Sequence, residues 1–194
     1  TLTSTGGLGL TLNEITNRDQ DLDALIAQYQ STSPVLDLAS VPSLDSIGAS
    51  SLTASVEVAR EAHYDSVVGF YKVTDASGGV IDSNGDLLSL SPDMTAAQRL
   101  AYKTAALAEG NLATEFAGLQ ANDNSTASST ITVTTDSIIA PYAVVGDNTY
   151  FAYGAANGES FDRFKALGEN SFGLEDSTLA AGGDRDYDDL VVRF

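Results

Sequence analysis

The feature that most constrains the fold is an acidic stretch, Glu175 to Asp189, that runs directly into a predicted core strand. Six of its residues are carboxylates: Glu175, Asp176, Asp184, Asp186, Asp188 and Asp189. Arg185 is the only base in the stretch. Acids beside a core strand are not all free to reach solvent, and crowded like charges raise one another's pKa. The stretch is therefore predicted to need a partner that neutralises it.

The donor atoms of this stretch suit calcium. Ca²⁺ binds about six to eight oxygens from carboxylates, backbone carbonyls and water. Gly182 and Gly183 precede the aspartates and allow the backbone to turn tightly. We therefore predict that the six carboxylates bind Ca²⁺, and a solvated acidic loop without metal is the alternative. An EF-hand is excluded because a loop starting at Asp184 would place Asp189 where that motif requires glycine.

The overall charge and composition narrow the possible partners. The chain of 194 residues has 27 acidic and 9 basic residues, a formal net charge of -18. Such a surface repels phosphate backbones and anionic lipid, so we expect no nucleic-acid binding. No apolar run approaches the roughly 18 residues of a membrane-spanning helix, which predicts no membrane insertion. The chain has no cysteine, which is compatible with the cytosol and also with an exported bacterial protein that calcium stabilises in place of disulfides.

The hydrophobic pattern after residue 50 predicts a mainly β domain. Leu52, Ala54, Val56 and Val58 alternate with polar residues, which is typical of a strand with one buried face. The further strand candidates are 66–74, 130–134, 137–145, 149–154, 161–167 and 188–194. A helix is predicted over Met94–Ala108, with Leu100 on its apolar face, and residues 121–130 are predicted to form a polar loop. The expected fold is a jelly-roll-like β-sandwich over residues 51–194, with one or two inserted helices.

Residues 1–50 are predicted to form an N-terminal arm. Leu8, Leu10 and Leu12 alternate as in an edge strand, and residues 22–29 have the spacing of a short amphipathic helix. Residues 31–50 are interpreted as an extended connector. Such an arm would add a strand to the open sheet edge of a neighbouring subunit, and a flexible linker is the alternative.

The ending of the chain resembles that of a bacterial extracellular C-terminal family that is labelled a domain of unknown function. The resemblance is carried by Gly173–Asp176 and Gly182–Val192, with Leu174 where the family has Phe. It extends upstream to 60–75, 139–142 and 164–172, so that it covers roughly residues 52–194. The family occurs in calcium-repeat exoproteins and adhesins, notably cyanobacterial ones, and a similar ending occurs in exported proteins with exosortase-type sorting tails. The resemblance implies a calcium-dependent β-domain without assigned catalysis, located outside the cell or at its surface.

Two further sites and a catalytic role have weaker support in the sequence. Asp82, Asn84 and Asp86 are spaced as in a second calcium site, but a turn explains the same residues and is the favoured interpretation. Asp75 is a candidate distal ligand of the main site. His63 is the only histidine, no serine has a nucleophile-elbow context, and the chain has no tryptophan to stack a sugar, so we expect no enzyme.

These observations predict an extracellular, calcium-binding structural protein. It would be a subunit of a filament or matrix that self-associates through its arm. The alternative is a calcium-dependent adhesion or carbohydrate-binding module that recognises a glycan or another surface ligand. In either case bound Ca²⁺ would lock the last strand into the sheet, so that metal binding is coupled to folding.

Overall fold

The computed structural model describes residues 34–39, 52–61, 64–133, 137–168, 171–177 and 185–194. Its elements in chain order are β1 (Leu36–Asp37), β2 (Leu52–Arg60), β3 (Ser66–Val73), β4 (Val80–Ile81), β5 (Leu87–Leu88), α1 (Ala96–Ala106), β6 (Leu112–Ala113), a 3₁₀ turn (Thr114–Phe116), β7 (Ser125–Val133), β8 (Ile138–Val145), β9 (Asn148–Phe151), α2 (Gly154–Asn157), β10 (Phe164–Gly168), β11 (Ser171–Leu174) and β12 (Leu190–Arg193).

The strands form two five-stranded antiparallel sheets. In sheet I the order is β1-β8-β3-β6, and β9 also pairs with β8. In sheet II the order is β10-β11-β12-β2-β7. Strands β4 and β5 form a separate hairpin. The prediction of a mainly β protein, a β-sandwich with few helices, is thereby confirmed.

An aromatic cluster joins the two sheets. The Phe70 ring of β3 lies 5.9 Å from that of Phe172 in β11 and 5.5 Å from that of Phe194, which follows β12. Phe116 completes the cluster, at 5.5 Å from Phe70 and 5.4 Å from Phe194. Edge-to-face contacts of this kind stabilise a core beyond the area that they bury. The final residues of the chain therefore belong to the main core.

Strand β2 follows the predicted alternation. Ala54, Val56 and Val58 are buried, whereas Thr53 and Glu57 are exposed. This period of two arises because successive side chains of a strand point to opposite faces of the sheet. The strand lies between β12 and β7 and makes the longest ladder of the fold with β7.

Helix α1 lies within the predicted range, but its buried face differs from the predicted one. Thr95 caps the helix, and its hydroxyl accepts from the Gln98 N–H in a capping box. The buried residues are Tyr102, Ala105 and Ala106, whereas Leu100 is 67% exposed. The Tyr102 hydroxyl donates to the Gly78 carbonyl at 2.6 Å, so an aromatic ring with a satisfied polar end takes the place expected for Leu100.

Two segments expected to lack core structure form strands. The serine- and threonine-rich residues 125–133, largely predicted to be loop, form β7 because their backbone pairs with β2 along its whole length. Within the predicted connector, Leu36 of β1 pairs with Ile139 of β8, and Leu36 and Leu38 are buried. The remaining residues of the predicted arm lie outside the described part of the chain. No helix in the described ranges is long and apolar enough to cross a membrane.

Candidate metal site

The described residues of the acidic stretch lie at one end of the β11–β12 pair. Leu174 at the end of β11 lies opposite Leu190 at the start of β12. Glu175 and Asp176 directly follow Leu174, and Asp189 directly precedes Leu190. The antiparallel register therefore brings the two ends of the predicted site together. Asp184 lies outside the described residues, so its position relative to this group is not assigned.

The predicted ligands differ sharply in burial. Glu175 is 1% exposed and Asp176 is 4% exposed. Asp189 is partly buried, whereas Asp186 and Asp188 are exposed. Because a buried carboxylate loses its hydration, Glu175 and Asp176 need compensating interactions far more than the exposed aspartates do.

Hydrogen bonds supply part of this compensation. Asp176 Oδ1 accepts from the Ser177 hydroxyl at 3.0 Å, and its Oδ2 accepts from the Ser66 hydroxyl at 3.4 Å. Glu175 Oε2 accepts from the Arg185 N–H at 2.7 Å, and Asp189 Oδ2 accepts from the Asp176 N–H at 2.8 Å. These neutral donors orient the carboxylates and leave their negative charges in place.

The electrostatics of Asp189 show that the group carries excess negative charge. The pKa of Asp189 is raised to about 7, and burial is the largest cause. The hydrogen bond from the Asp176 N–H lowers this pKa but does not offset the effect of burial. The nearby charges of Asp176, Glu175 and Asp188 raise this pKa in the same direction. Within the described part of the chain, neither Glu175 nor Asp176 forms an ion pair. The arrangement would therefore be stabilised by a bound cation or by protonation.

Arg163 fixes the backbone of the acidic stretch through hydrogen bonds to its carbonyls. Its buried guanidinium donates to the Glu175 carbonyl at 3.1 Å and to the Ser177 carbonyl at 3.0 Å. The charge itself is paired with Glu159, at 2.5 Å. The guanidinium also lies over the Tyr150 ring, 4.1 Å from its centroid. The sequence did not identify Arg163 in advance, because contacts with backbone carbonyls leave no local sequence pattern.

Gly173 permits the close approach of the loop before β12. A Cβ atom at this position would lie 2.1 Å from the Tyr187 carbonyl oxygen, which is a steric clash. Glycine has no Cβ atom and therefore fits here. Tyr187 itself has a positive φ of 65°, and its hydroxyl donates to the Asp162 carbonyl at 3.2 Å. The glycine that begins the Gly173–Asp176 motif thus has a steric reason to be there.

The described carboxylates alone do not complete a metal site. Among the residues with described positions, which leave out Asp184, no group of three or more His, Cys, Asp or Glu side chains is arranged to hold a metal ion. Glu175, Asp176 and Asp189 are near enough for the charges of the first two to raise the pKa of Asp189. They offer only oxygen atoms, the donors that Ca²⁺ and other hard cations prefer.

The two weaker candidates have structural roles. Asp82 Oδ1 accepts from the N–H groups of Asn84 and Asp86, at 2.8 and 2.9 Å, and so closes the turn between β4 and β5. Asp75 accepts from the Ser77 N–H at 2.8 Å in the turn after β3. Ser66, which contacts Asp176, lies at the start of β3, whereas Asp75 follows the other end of that strand. His63 is outside the described residues.

A polar cleft of about 390 Å³ adjoins the acidic stretch. It is lined by Arg60, Glu61, Asn124, Ser125, Thr126 and Asp188 together with the apolar residues Ala59 and Val191. Arg60 donates to the Ala121 carbonyl at 3.0 Å and pairs with Asp65 at 2.9 Å. The cleft therefore combines charged, amide and hydroxyl groups in one depression beside the predicted ligand Asp188.

Comparison with known proteins gave no match to any family model, curated protein or solved structure.

Proposed function

We propose that this chain is an extracellular, calcium-binding structural protein, a non-enzymatic subunit of a cell-surface filament or matrix. Ca²⁺ is bound by the acidic stretch and fixes β12 in sheet II. The observation that carries the proposal is the burial of Glu175 and Asp176 beside Asp189, with neither buried acid in an ion pair among the described residues.

A cation relieves this arrangement more completely than a proton does. The raised pKa of Asp189 means that the metal-free group takes up a proton near neutral pH. That proton removes the charge of Asp189 alone. A divalent ion between these carboxylates neutralises two charges at once and provides bonds to oxygens that protonation would leave without a partner.

Calcium is favoured over transition metals by the donor set. The acidic stretch contains carboxylates, hydroxyls and carbonyls but no cysteine or histidine. Thiolate and imidazole ligands are the usual basis of zinc and copper sites. An environment with millimolar calcium, such as that outside the cell, would keep a site of moderate affinity occupied.

The position of β12 explains how binding would act on the fold. This strand lies between β11 and β2 and pairs with both. Asp189 directly precedes it, and the core residue Phe194 directly follows it. Metal bound between the β11 and β12 ends would hold the two halves of sheet II together. The binding free energy would then contribute directly to the stability of the folded state.

Titration calorimetry with Ca²⁺ and thermal melting in calcium or chelator test the calcium part of the proposal. We expect heat of binding and a higher melting temperature in calcium, with no such gain in the double variant Asp176→Asn/Asp189→Asn. Asp147→Asn, an exposed acid in the β8–β9 turn, serves as the control and should bind as the wild type does. Absence of calcium uptake together with an unchanged melting temperature would refute this part.

The subunit role follows from the predicted arm. The arm predicted over residues 1–50 is longer than a tether requires, and the alternation of Leu8, Leu10 and Leu12 predicts one apolar strand face for a neighbouring copy. Light scattering of the full chain in calcium, over a wide concentration range, measures this directly. A protein that stays monomeric at the highest concentration would refute the assembly role and leave the calcium part untouched.

The polar cleft beside Asp188 favours a second candidate, a calcium-dependent adhesion or carbohydrate-binding module. Hydroxyl, amide and carboxylate groups such as those of Ser125, Asn124 and Glu61 are suited to the hydroxyl groups of a sugar. A glycan array probed with the calcium-loaded chain separates the two roles. Binding that is lost in Asn124→Ala would favour the module, and no binding would favour the structural subunit.

A further inference from the structure

The two edges of sheet II differ in how they are protected against pairing with other strands. Edge strand β10 has five residues, carries Lys165, and shifts register against β11 between Ala166 and Gly168. Short length, charge and irregularity are the usual means by which proteins block an open edge. Edge strand β7 has nine residues, contains no charge or proline, and pairs with β2 in an unbroken register.

The hydrogen bonding of β2 shows which β7 groups face outward. Glu61 N–H donates to the Asp189 carbonyl at 3.1 Å, and the β2–β12 register places these residues opposite each other. Glu61 thus directs its backbone toward β12, and alternation directs that of Arg60, Val58 and Val56 toward β7.

Through the β2–β7 register, the backbone groups of Ser125, Ala127, Ser129 and Ile131 face β2. Those of Thr126, Ser128, Thr130 and Thr132 therefore point away from the sheet. In the described part of the chain, β7 has β2 as its only strand neighbour. The four outward residues are all exposed, so they present a regular row of amide donors and carbonyl acceptors.

We infer that this edge binds a second copy of the chain, with β7 of one copy antiparallel to β7 of the other. A two-fold axis beside Ser129 places Ser128 opposite Thr130 of the second copy and Thr126 opposite Thr132 of the second copy. Every outward residue then meets an outward residue, which is the condition for hydrogen-bonded pairs in an antiparallel ladder. The facing side chains are all serine or threonine, pairs that are favourable across strands.

Charge favours this edge as the meeting point of two copies. Two chains of net charge -18 repel each other over most of their surfaces, but residues 125–133 carry no charge. The charged residue on the adjoining outer face of β2 is Glu57, opposite Ser128. In the proposed dimer, three strand spacings separate the two Glu57 residues by roughly 14 Å, beyond the screening length of about 8 Å at physiological salt.

The inference deepens the proposed assembly role and rests on self-association alone, so it is independent of calcium binding. It supplies a symmetric contact in addition to the arm. A closed pair of this kind would join two copies through one continuous ten-stranded sheet, formed from the two five-stranded sheets.

Proline substitution tests the edge in the full-length chain. Thr130→Pro and Ser128→Pro each remove an outward N–H without breaking the β2 ladder, since proline is tolerated on a free edge. We expect each to raise the dimer dissociation constant more than tenfold, measured by sedimentation equilibrium in calcium, with little change in melting temperature. Ser129→Pro is the matched control, because it removes an N–H that faces β2 and should lower the melting temperature.

Amide hydrogen exchange on the unaltered chain gives a second measurement. Ala127, Ser129 and Ile131 should be protected at every concentration, whereas Thr126, Ser128, Thr130 and Thr132 should gain protection only as the dimer forms. Outward amides already protected in the monomer would mean that another part of the same chain covers the edge, and would overturn the inference.

The remaining outcomes separate this inference from the proposed function. A chain that is monomeric at all concentrations overturns both the edge contact and the assembly role. Self-association that survives Thr130→Pro and Ser128→Pro overturns the edge contact and leaves assembly through the arm. Association that is abolished by these substitutions and retained in Leu10→Pro, a change in the arm, supports pairing of β7 with β7.

Discussion

Replacement of Asp189 by asparagine should change stability in opposite directions with and without calcium. The substitution keeps an acceptor for the Asp176 N–H and removes the charge that burial and neighbouring carboxylates disfavour. In chelator at pH 8, we therefore expect Asp189→Asn to be more stable than the wild type. In calcium the same change removes a ligand, and we expect the variant to be less stable.

The size of the effect in chelator follows from the raised pKa. A shift from the ordinary value of 3.8 to about 7 corresponds to at most about 4 kcal/mol, at 1.36 kcal/mol per pKa unit. Because Asp189 is only partly buried, solvent screening reduces this to roughly 1–2 kcal/mol. Such a change is a substantial fraction of the roughly 5–15 kcal/mol by which a whole domain is typically stable.

Urea denaturation at pH 8 in matched chelator and calcium buffers measures both effects. Asp147→Asn is the control and should shift the free energy of unfolding by less than about 0.5 kcal/mol in either buffer. A destabilised Asp189→Asn variant in chelator would contradict the reasoning, because it would show that the carboxylate is already compensated in the metal-free protein. A variant that calcium stabilises as much as it stabilises the wild type would contradict the assignment of Asp189 as a ligand.

Three further outcomes are expected. Gly173→Ala should lower the free energy of unfolding by about 2 kcal/mol or more in urea denaturation, because its Cβ would collide with the Tyr187 carbonyl; an unchanged midpoint would mean that the loop before β12 moves aside freely. Arg163→Met should cost about 3 kcal/mol and weaken calcium binding in calorimetry, since it leaves Glu159 unpaired and the Glu175 carbonyl without its donor; wild-type calcium affinity would refute a positioning role. In chelator the melting temperature should fall as the pH rises from about 4 through 7, because the folded state binds the Asp189 proton more tightly than the unfolded state does; a rise over this range would oppose the sign of the pKa shift.

The parts of the fold that follow side-chain periodicity were predictable from the sequence. Strand β2 buries alternating apolar residues, and β3 buries a nearly continuous run of them. The predicted bounds of both strands match the structure within a residue or two. The strand predicted over 130–134 covers only the end of β7, and residues 125–129 were missed because their side chains are mostly polar and their strand character comes from backbone pairing with β2. The prediction of the buried face of α1 was wrong because Tyr102 packs inward and forms a hydrogen bond that composition does not reveal.

The sequence predicted which carboxylates belong to the candidate site, but it did not predict which of them are buried and which are exposed. Sequence alone treated six carboxylates as equivalent, whereas the structure buries Glu175 and Asp176 and leaves Asp186 and Asp188 exposed. That difference depends on which residue follows a core strand and which lies in the loop, information that charge spacing lacks. Arg163 was missed because its role is to bind backbone carbonyls across the fold, a contact with no local sequence pattern.

The central position of β12 has a consequence for the order of folding. Arg60 pairs with Leu190, so the two halves of sheet II join only when residues from distant parts of the chain meet. Contacts so far apart in sequence carry a large loop-closure cost and are made slowly. Until β12 inserts, the hairpin of β10 and β11 and the pair of β2 and β7 are separate units, each with an unfinished edge. A chain emerging from a ribosome or an export channel would therefore remain incomplete and exposed to proteases until almost its last described residue was free.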